Sequence, residues 1–290
     1  MARLAKTAAT GGRPVVTATA AQSQSGRRSE NQDRILLESH GALILLAVAD
    51  GIGGLPSGDR AAEAAIDSLR SSFLARGQLT HDWLISAFQT ANHAVYDLSN
   101  GANPAGTAGT TMVACVSDGS RYLVGNSGDS RCYYVSNYAI YCLTQDHTRV
   151  QDLVNRGQMT LADASRSPLR NELTNALGDE TNIRVDVAPE APHFGVIDES
   201  CVLLLCSDGL HGWVHERQIF SELRANADLT SGCNRLVSLA LMLGSTDNIS
   251  VVAIEFGDSF RCSAPSFWRR RSSCGRCWFK RTIVEPFRGL

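Results

Sequence analysis

Leu43-Ile-Leu-Leu-Ala-Val-Ala49, running into Asp50-Gly51-Ile52-Gly53-Gly54, is the stretch from which the fold of this 290-residue chain is read. An unbroken apolar run bounded by turn chemistry reads as a strand buried on both faces, and this one ends in a carboxylate. The pattern recurs. Cys201-Val-Leu-Leu-Leu-Cys206 ends in Ser207-Asp208-Gly209, Tyr122-Leu-Val-Gly-Asn-Ser-Gly128 runs into Asp129-Ser130-Arg131, and Asp247-Asn248 stands immediately before Ile249-Ser-Val-Val-Ala-Ile254. A charged carboxylate against an apolar strand costs free energy unless it is paired or metal-bound. Several of them converging at one sheet edge predict a hard-cation site with oxygen ligands, for which magnesium or manganese is the natural occupant. The glycines around Asp50 allow close backbone approach, and the Gly51 carbonyl is itself a candidate ligand. Taken singly, Asp-Gly and Asp-Asn are ordinary turn dipeptides; their recurrence at four strand ends is what argues for a site.

Outward from this stretch, Pro14 to Ala21 reads as a first strand. Ile35–Glu38 and Ala42–Ala49 read as a hairpin turned at Ser39-His40-Gly41. Apolar and alanine positions recur at helical spacing from Gly58 to Leu74 and from His81 to Leu98, which predicts two amphipathic helices. Four short strands follow, Thr110–Val116, Tyr122–Val124, Arg131–Val135 and Tyr138–Leu143, with Asp118-Gly119 and Ser136-Asn137 as turns, and they read as an antiparallel meander. Residues 147–182 are polar and irregular, with a short helical piece at Val150–Arg156, and read as a flap. Strands are expected at Ile183–Val187 and Cys201–Leu205, helices at Glu216–Leu223 and Cys233–Leu243, and a closing strand at Ile249–Phe256. Strand runs alternating with pairs of helices fit antiparallel sheets covered by helices, an α+β class, better than a parallel array. The chain divides into a flexible segment 1–13, a folded domain 14–256 and a tail 257–290.

With 43% apolar residues the chain can bury one substantial core. A net charge of −2 gives no reason to expect nucleic acid, but the charge is unevenly placed: the tail carries +6 and the remainder −8. The longest apolar run near the start, Ala42–Ala49, is far short of a membrane span, and Met1–Arg13 lack the apolar stretch of a secretory signal, so export is not expected. Six of nine cysteines (Cys115, Cys132, Cys142, Cys201, Cys206, Cys233) sit in apolar segments as small hydrophobes, which fits a reducing cytoplasm. Cys274-Gly-Arg-Cys277 resembles half of a zinc knuckle, yet beyond Cys262 there is no second ligand pair. Trp268-Arg-Arg-Arg271 and Trp278-Phe-Lys-Arg281 set aromatic anchors beside cations, so the tail reads either as a contact for a membrane or acidic partner or as a solvated extension. Gly106-Thr-Ala-Gly-Thr-Thr111 lacks the Lys-Ser/Thr ending of a phosphate-binding P-loop, and the seven histidines have no metal-ligand spacing.

Taken in order, Arg28-Ser-Glu-Asn-Gln-Asp33, Asp50-Gly-Ile-Gly-Gly54, Gly109-Thr-Thr111, Gly128-Asp-Ser-Arg131, Leu143-Thr-Gln-Asp-His147, Leu173-Thr-Asn-Ala-Leu-Gly178, Ser207-Asp-Gly-Leu210 and Ser245-Thr-Asp-Asn-Ile249 resemble the motif set of the type 2C (PPM) metal-dependent protein serine/threonine phosphatases, in family order, over residues 14–256. The resemblance implies a four-layer αββα sandwich with a metal centre at one end of the sheets. It implies two Mn2+ or Mg2+ ions, bridged by Asp50, with Gly51 offering its carbonyl and Asp208 and Asp247 holding one of them. Asp33 would orient water, Asp129 with Asp208 would match the site of a third, weaker ion, and Arg28 would bind phosphate. Phosphoserine and phosphothreonine would be hydrolysed by a two-metal-activated water without a phosphoenzyme. Phosphorylated proteins are the implied substrates and a serine/threonine kinase the implied opponent; a cytoplasmic monomer active in signal transduction is expected, with the tail, outside the resemblance, open to a peripheral membrane contact or a solvated extension. Three departures mark this chain: Ile52 stands where many eukaryotic members have histidine, Gln32 where some relatives carry a carboxylate, and Leu210-His-Gly-Trp213 lacks an acidic residue found in others; the glycines after Ile52 resemble the bacterial branch. A catalytically weak pseudo-phosphatase that binds phosphoproteins, and a two-metal nuclease or small-molecule phosphatase, stay open as alternatives.

Overall fold

The computed structural model describes residues 15–52, 57–101 and 108–257. The 1–13 segment, Gly53, Gly54, Gly106 and the basic, cysteine-containing tail past Gly257 lie outside the described residues.

From Val15 the chain forms β1 (Val16–Gln24), the hairpin of β2 (Asp33–His40) and β3 (Leu43–Asp50), and helices α1 (Gly58–Arg76) and α2 (His81–Gly101). Then come β4 (Met112–Ser117), β5 (Arg121–Ser127), β6 (Arg131–Ser136) and β7 (Ile140–Cys142), followed by α3 (Arg149–Asn155) and α4 (Leu161–Ala164) in the irregular region. The remainder is β8 (Asp186–Ala188), β9 (Gly195–Val196), β10 (Cys201–Cys206), α5 (Asp208–His211), α6 (Glu216–Ala225), α7 (Leu229–Leu243) and β11 (Ile249–Phe256). One sheet has the order β1-β11-β10-β6-β7, the other β2-β3-β4-β5-β8 with β9 beside β5, and every pairing is antiparallel.

The continuous apolar runs follow from burial on both faces. Along β3, Leu45, Ala47 and Ala49 point to α1 and α2, packing with Leu69, Phe73, Leu84 and Phe88, while Leu46 and Val48 point to the opposing sheet. Along β10, Leu203 and Leu205 face the space between the sheets, whereas Val202 and Leu204 pack under α6 and α7 against Ile219, Leu223 and Leu236. Successive side chains of a strand alternate faces, so both central strands must be apolar at every position. The result is the expected α+β sandwich of four layers, helices on each outer face of two stacked sheets.

Several details differ from the sequence reading. The four strands of residues 110–143 are not one meander: β4 and β5 pair in one sheet, then Gly128-Asp129-Ser130 carries the chain across so that β6 and β7 belong to the other. Alternating apolar strands with turn dipeptides look the same whether the next strand stays in its sheet or crosses. The first hairpin runs on to His40 and resumes at Leu43, so its turn is Gly41-Ala42 rather than Ser39-His40-Gly41. Helix α7 begins at Leu229, earlier than the apolar periodicity suggested, because the Asp228 side chain caps it by accepting from Ser231 N. The strand expected at Ile183 pairs only from Asp186, and the short β9 and α5 had no periodic signal.

Leu203 sits at the middle of β10, the central strand of its sheet, and is fully buried between the sheets. Leu203→Ala is expected to cost about 2–5 kcal/mol, seen as a lower midpoint in urea denaturation. A loss under about 1 kcal/mol would mean that the inter-sheet space can collapse around the deletion.

Candidate metal centre and phosphate site

The antiparallel ladders bring the predicted aspartates to one end of the sandwich. Asp33 opens β2 and pairs directly across the ladder with Asp50, which closes β3. Asp208 follows β10 through Ser207 and opens α5, and Asp247 precedes β11, the neighbour of β10. Gly209 makes that approach possible, since a Cβ there would collide with the Asn248 carbonyl oxygen. Asp129 arrives on the crossing between the sheets. Together with Arg28, Gly51, Ile52 and Thr111, four of these aspartates (Asp50, Asp129, Asp208, Asp247) line one open cavity of about 170 Å³, while Asp33 is buried behind Asp50.

The electrostatics are those of a site suited to a cation. Burial, and then repulsion from Asp33, Asp208, Asp129 and Asp247, holds the Asp50 carboxyl well above the usual carboxylate range. Asp208 is pushed up to about 6 by burial and then by Asp247. Burial also raises Asp33 to about 6 against the opposing hydrogen bond of Ser207, and Asp129 rises through burial and the Asp208 charge. Ser207 Oγ donates to Asp33 Oδ2 at 2.9 Å, whereas Asp33 Oδ1 is buried without a hydrogen-bond partner. A buried acceptor in that state is costly unless something fills its place. Oxygen donors on the cavity walls, a lone buried carboxylate oxygen and an adjacent backbone carbonyl at Gly51 fit a hard divalent cation, which would reverse these pKa shifts. Among the described residues no three acidic, histidine or cysteine side chains close on one point as a finished cage, so water would complete the coordination.

Arg28 lies at the cavity mouth, half-exposed, its Nη2 donating to Asp247 Oδ2 at 2.9 Å. The Asp247 carboxylate, by that hydrogen bond and its charge, raises the pKa of the guanidinium, which is a planar fork suited to phosphate oxygens. Ile52 lines the cavity, and no histidine, lysine or tyrosine does so among the described residues.

A second set of residues, not singled out from the sequence, holds the aspartates in place. Thr111 N donates to Asp50 O, Asp50 N donates to Thr111 Oγ1, and that hydroxyl shares a hydrogen bond with Ser130 Oγ beside Asp129. His147 is buried behind the crossing: its Nδ1 accepts from Gly128 N at 3.2 Å and from Asn175 Nδ2 at 2.8 Å, which leaves Nε2–H to donate to Asp186. Burial outweighs all else at His211, lowering its pKa to about 3; as a neutral ring it donates from Nε2 to the Asp129 carbonyl. Both histidines work behind the cavity rather than in it. Their signal in the sequence was only a polar residue next to a motif aspartate or inside a motif.

A family model described as Protein phosphatase 2C matches residues 18–249. Serine/threonine phosphatase stp of Listeria monocytogenes is 33% identical over 218 residues, covering 73% of this chain and 84% of that protein. Among solved structures, the PPM Ser-Thr phosphatase MsPP from Mycobacterium smegmatis in complex with cacodylate superposes with a TM-score of 0.71 at 34% identity, over 83% of this chain and 99% of that one. The catalytic domain of the serine threonine protein phosphatase PstP in complex with 2 manganese ions gives 0.69 at 29% identity, over 83% and 98%. Fold, strand-end aspartates and these matches together define a metal-dependent phosphoprotein phosphatase. The chain belongs to the protein phosphatase 2C family.

Asp50→Asn removes one of the mutually repelling carboxylates. In EDTA the variant is expected to melt about 2–4 °C above the parent, corresponding to about 1 kcal/mol, while the upward shift of Tm on adding Mn2+ shrinks. A lower Tm in EDTA with an unchanged manganese shift would count against this description of the cavity.

Proposed function

We propose that this chain hydrolyses phosphoserine and phosphothreonine in proteins, with Asp50, the Gly51 carbonyl, Asp208 and Asp247 holding two Mn2+ or Mg2+ ions and Arg28 receiving the phosphoryl group. The observation that carries the reading is the convergence of mutually repelling strand-end aspartates on one cavity beside a half-exposed arginine. Bound divalent ions would supply Lewis acidity and charge neutralisation at the phosphoryl oxygens. Arg28 orients the phosphate through its fork, releasing Asp247 as it does so. Asp33, fixed on one oxygen by Ser207 and free on the other, orients a water for in-line attack. With Ile52 in place of a histidine, the leaving alkoxide takes its proton from water. Asp129, whose strongest charged neighbour is Asp208, is the place for a third, weaker ion.

Phosphoprotein substrates follow from the family, and we extend this to an opposing serine/threonine kinase, a cytoplasmic location with a role in signal transduction, and a monomeric enzyme. No helix among the described residues is long and apolar enough to cross a membrane. The basic tail is assigned contact with anionic lipid or an acidic partner, on the strength of its Trp268-Arg-Arg-Arg271 and Trp278-Phe-Lys-Arg281 tracts beside an acidic body.

The test is release of inorganic phosphate from a phosphothreonine peptide with manganese. Activity should vanish in EDTA and return with Mn2+. Asp208→Asn should lower kcat by about 100-fold or more without unfolding the chain. Arg28→Ala should raise KM more than it lowers kcat, because the ground-state phosphate already makes the contact. Normal turnover by Asp208→Asn with its manganese still bound would remove that residue from the centre.

Because the family match ends at residue 249 and β11 at Phe256, catalysis should not need the tail. Truncation after Gly257 is expected to leave peptide hydrolysis unchanged while weakening sedimentation with phosphatidylserine vesicles. A full-length protein that shows no salt-sensitive vesicle binding would leave the tail a solvated extension.

A further inference from the structure

Asn248 separates Asp247 from β11, is buried, and is not among the residues that line the cavity. Its Oδ1 accepts from Gln32 N at 2.8 Å, and its Nδ2 donates to Ser25 O at 3.0 Å and to Glu30 O at 2.8 Å. All three partners are backbone groups of one segment, residues 25–32, which has no helix or strand of its own and carries Arg28. The Ser25 carbonyl also accepts from Arg28 N at 3.0 Å, so the oxygen that Asn248 grips is the one closing the turn under Arg28. Gly26 gives the same loop a steric seat: its φ is +60°, and a Cβ there would collide with the Asp247 carbonyl oxygen. The loop therefore rests on the Asp247–Asn248 pair, and the Arg28 side chain returns to Asp247 Oδ2.

A loop without a ladder of its own loses conformational entropy when it is ordered, and here three hydrogen bonds from one side chain oppose that loss. Only a carboxamide presents an acceptor and two donors in one plane; an aspartate at this position would set a second oxygen against two carbonyls, and a serine would be too short to span them.

We propose that Asn248 is the positioning residue of the phosphate-binding arm: it clamps residues 25–32 onto the start of β11 so that Arg28 meets the phosphoryl group at a fixed place relative to Asp247. The inference rests on the assignment of Arg28 to phosphate. Asn248 does not line the cavity, so its contribution is to the affinity for phosphate rather than to the chemical step.

The experiment is a double-mutant cycle on the full-length, Mn2+-loaded protein with a phosphothreonine peptide, comparing wild type, Asn248→Ala, Asn248→Asp, Arg28→Ala and the Asn248→Ala/Arg28→Ala pair. Asn248→Ala should raise KM about tenfold with kcat changed by less than about threefold, and weaken inorganic phosphate binding in calorimetry by a similar factor. In the Arg28→Ala background the same change should add nothing, since the clamp then has no arm to place. Asn248→Asp should behave like Asn248→Ala despite its matching size. Gly26→Ala, which lifts the loop with Asn248 intact, should reproduce the pattern and stands in if the Asn248 variants do not fold. Equal losses in kcat and kcat/KM, or an Asn248 effect of the same size with and without Arg28, would overturn the proposal. An Arg28→Ala variant with unchanged KM would overturn it by removing the arm, whereas a wild type that releases no phosphate would fail the phosphatase reading before the cycle is reached.

Discussion

Carboxylates that repel one another are held side by side at one end of the inter-sheet core, and the surrounding structure is arranged to sustain that opposition. Burial and mutual charge together move Asp33, Asp50, Asp129 and Asp208 above the ordinary carboxylate range. Arginine charge offsets this only in part: Arg131, paired with Asp146, lowers Asp129 against its burial, and Arg28 at the rim hydrogen-bonds Asp247 and acts on Asp208 by its charge alone. A divalent cation would turn this repulsion into attraction, so the mutual repulsion of the carboxylates and their fitness for a metal have one origin. The stabilisation that offsets it lies elsewhere, in three apolar cores stacked through the four layers.

Antiparallel topology is what makes such a site cheap to assemble. The end of one strand and the start of its neighbour fall on the same edge, so Asp50 faces Asp33, and Asp208 at the end of β10 comes beside Asp247 before β11. Asp129 is brought in differently, by the passage from one sheet to the other, and that irregular crossing is held by His147 on one side and His211 on the other. Neutral hydrogen-bonding residues stand behind the site: Thr111 under Asp50, Ser207 on Asp33, and Asn248 under the loop of Arg28. Neutral supports add no charge that would compete with a cation for the carboxylates.

The same logic separates what touches substrate from what places it. Ile52 on the cavity wall offers no proton, and in the proposed reaction the chemistry is left to aspartates, arginine and water. Asn248 and Gly26 carry no reactive group, yet they decide where Arg28 begins its reach.

Much of this was legible in the chain itself. Runs such as Leu43–Ala49 and Cys201–Cys206 are apolar at every position because both faces of a central strand are covered, and that determines two stacked sheets with helices outside. Aspartates at the ends of those runs raised the expectation of a cation site for the same reason, since a carboxylate next to such a strand needs a partner, and the structure brings them to one cavity. Tertiary structure decided the rest. Whether β6 continued the sheet of β5 or crossed to the other could not be read from alternation and turn residues, which are identical in the two cases. Nor could the roles of His147, Ser207 and Asn248, because hydrogen bonds across 19, 174 and 223 residues leave no periodic trace: a polar side chain in an apolar stretch records that it must be satisfied, and only the folded chain decides by what.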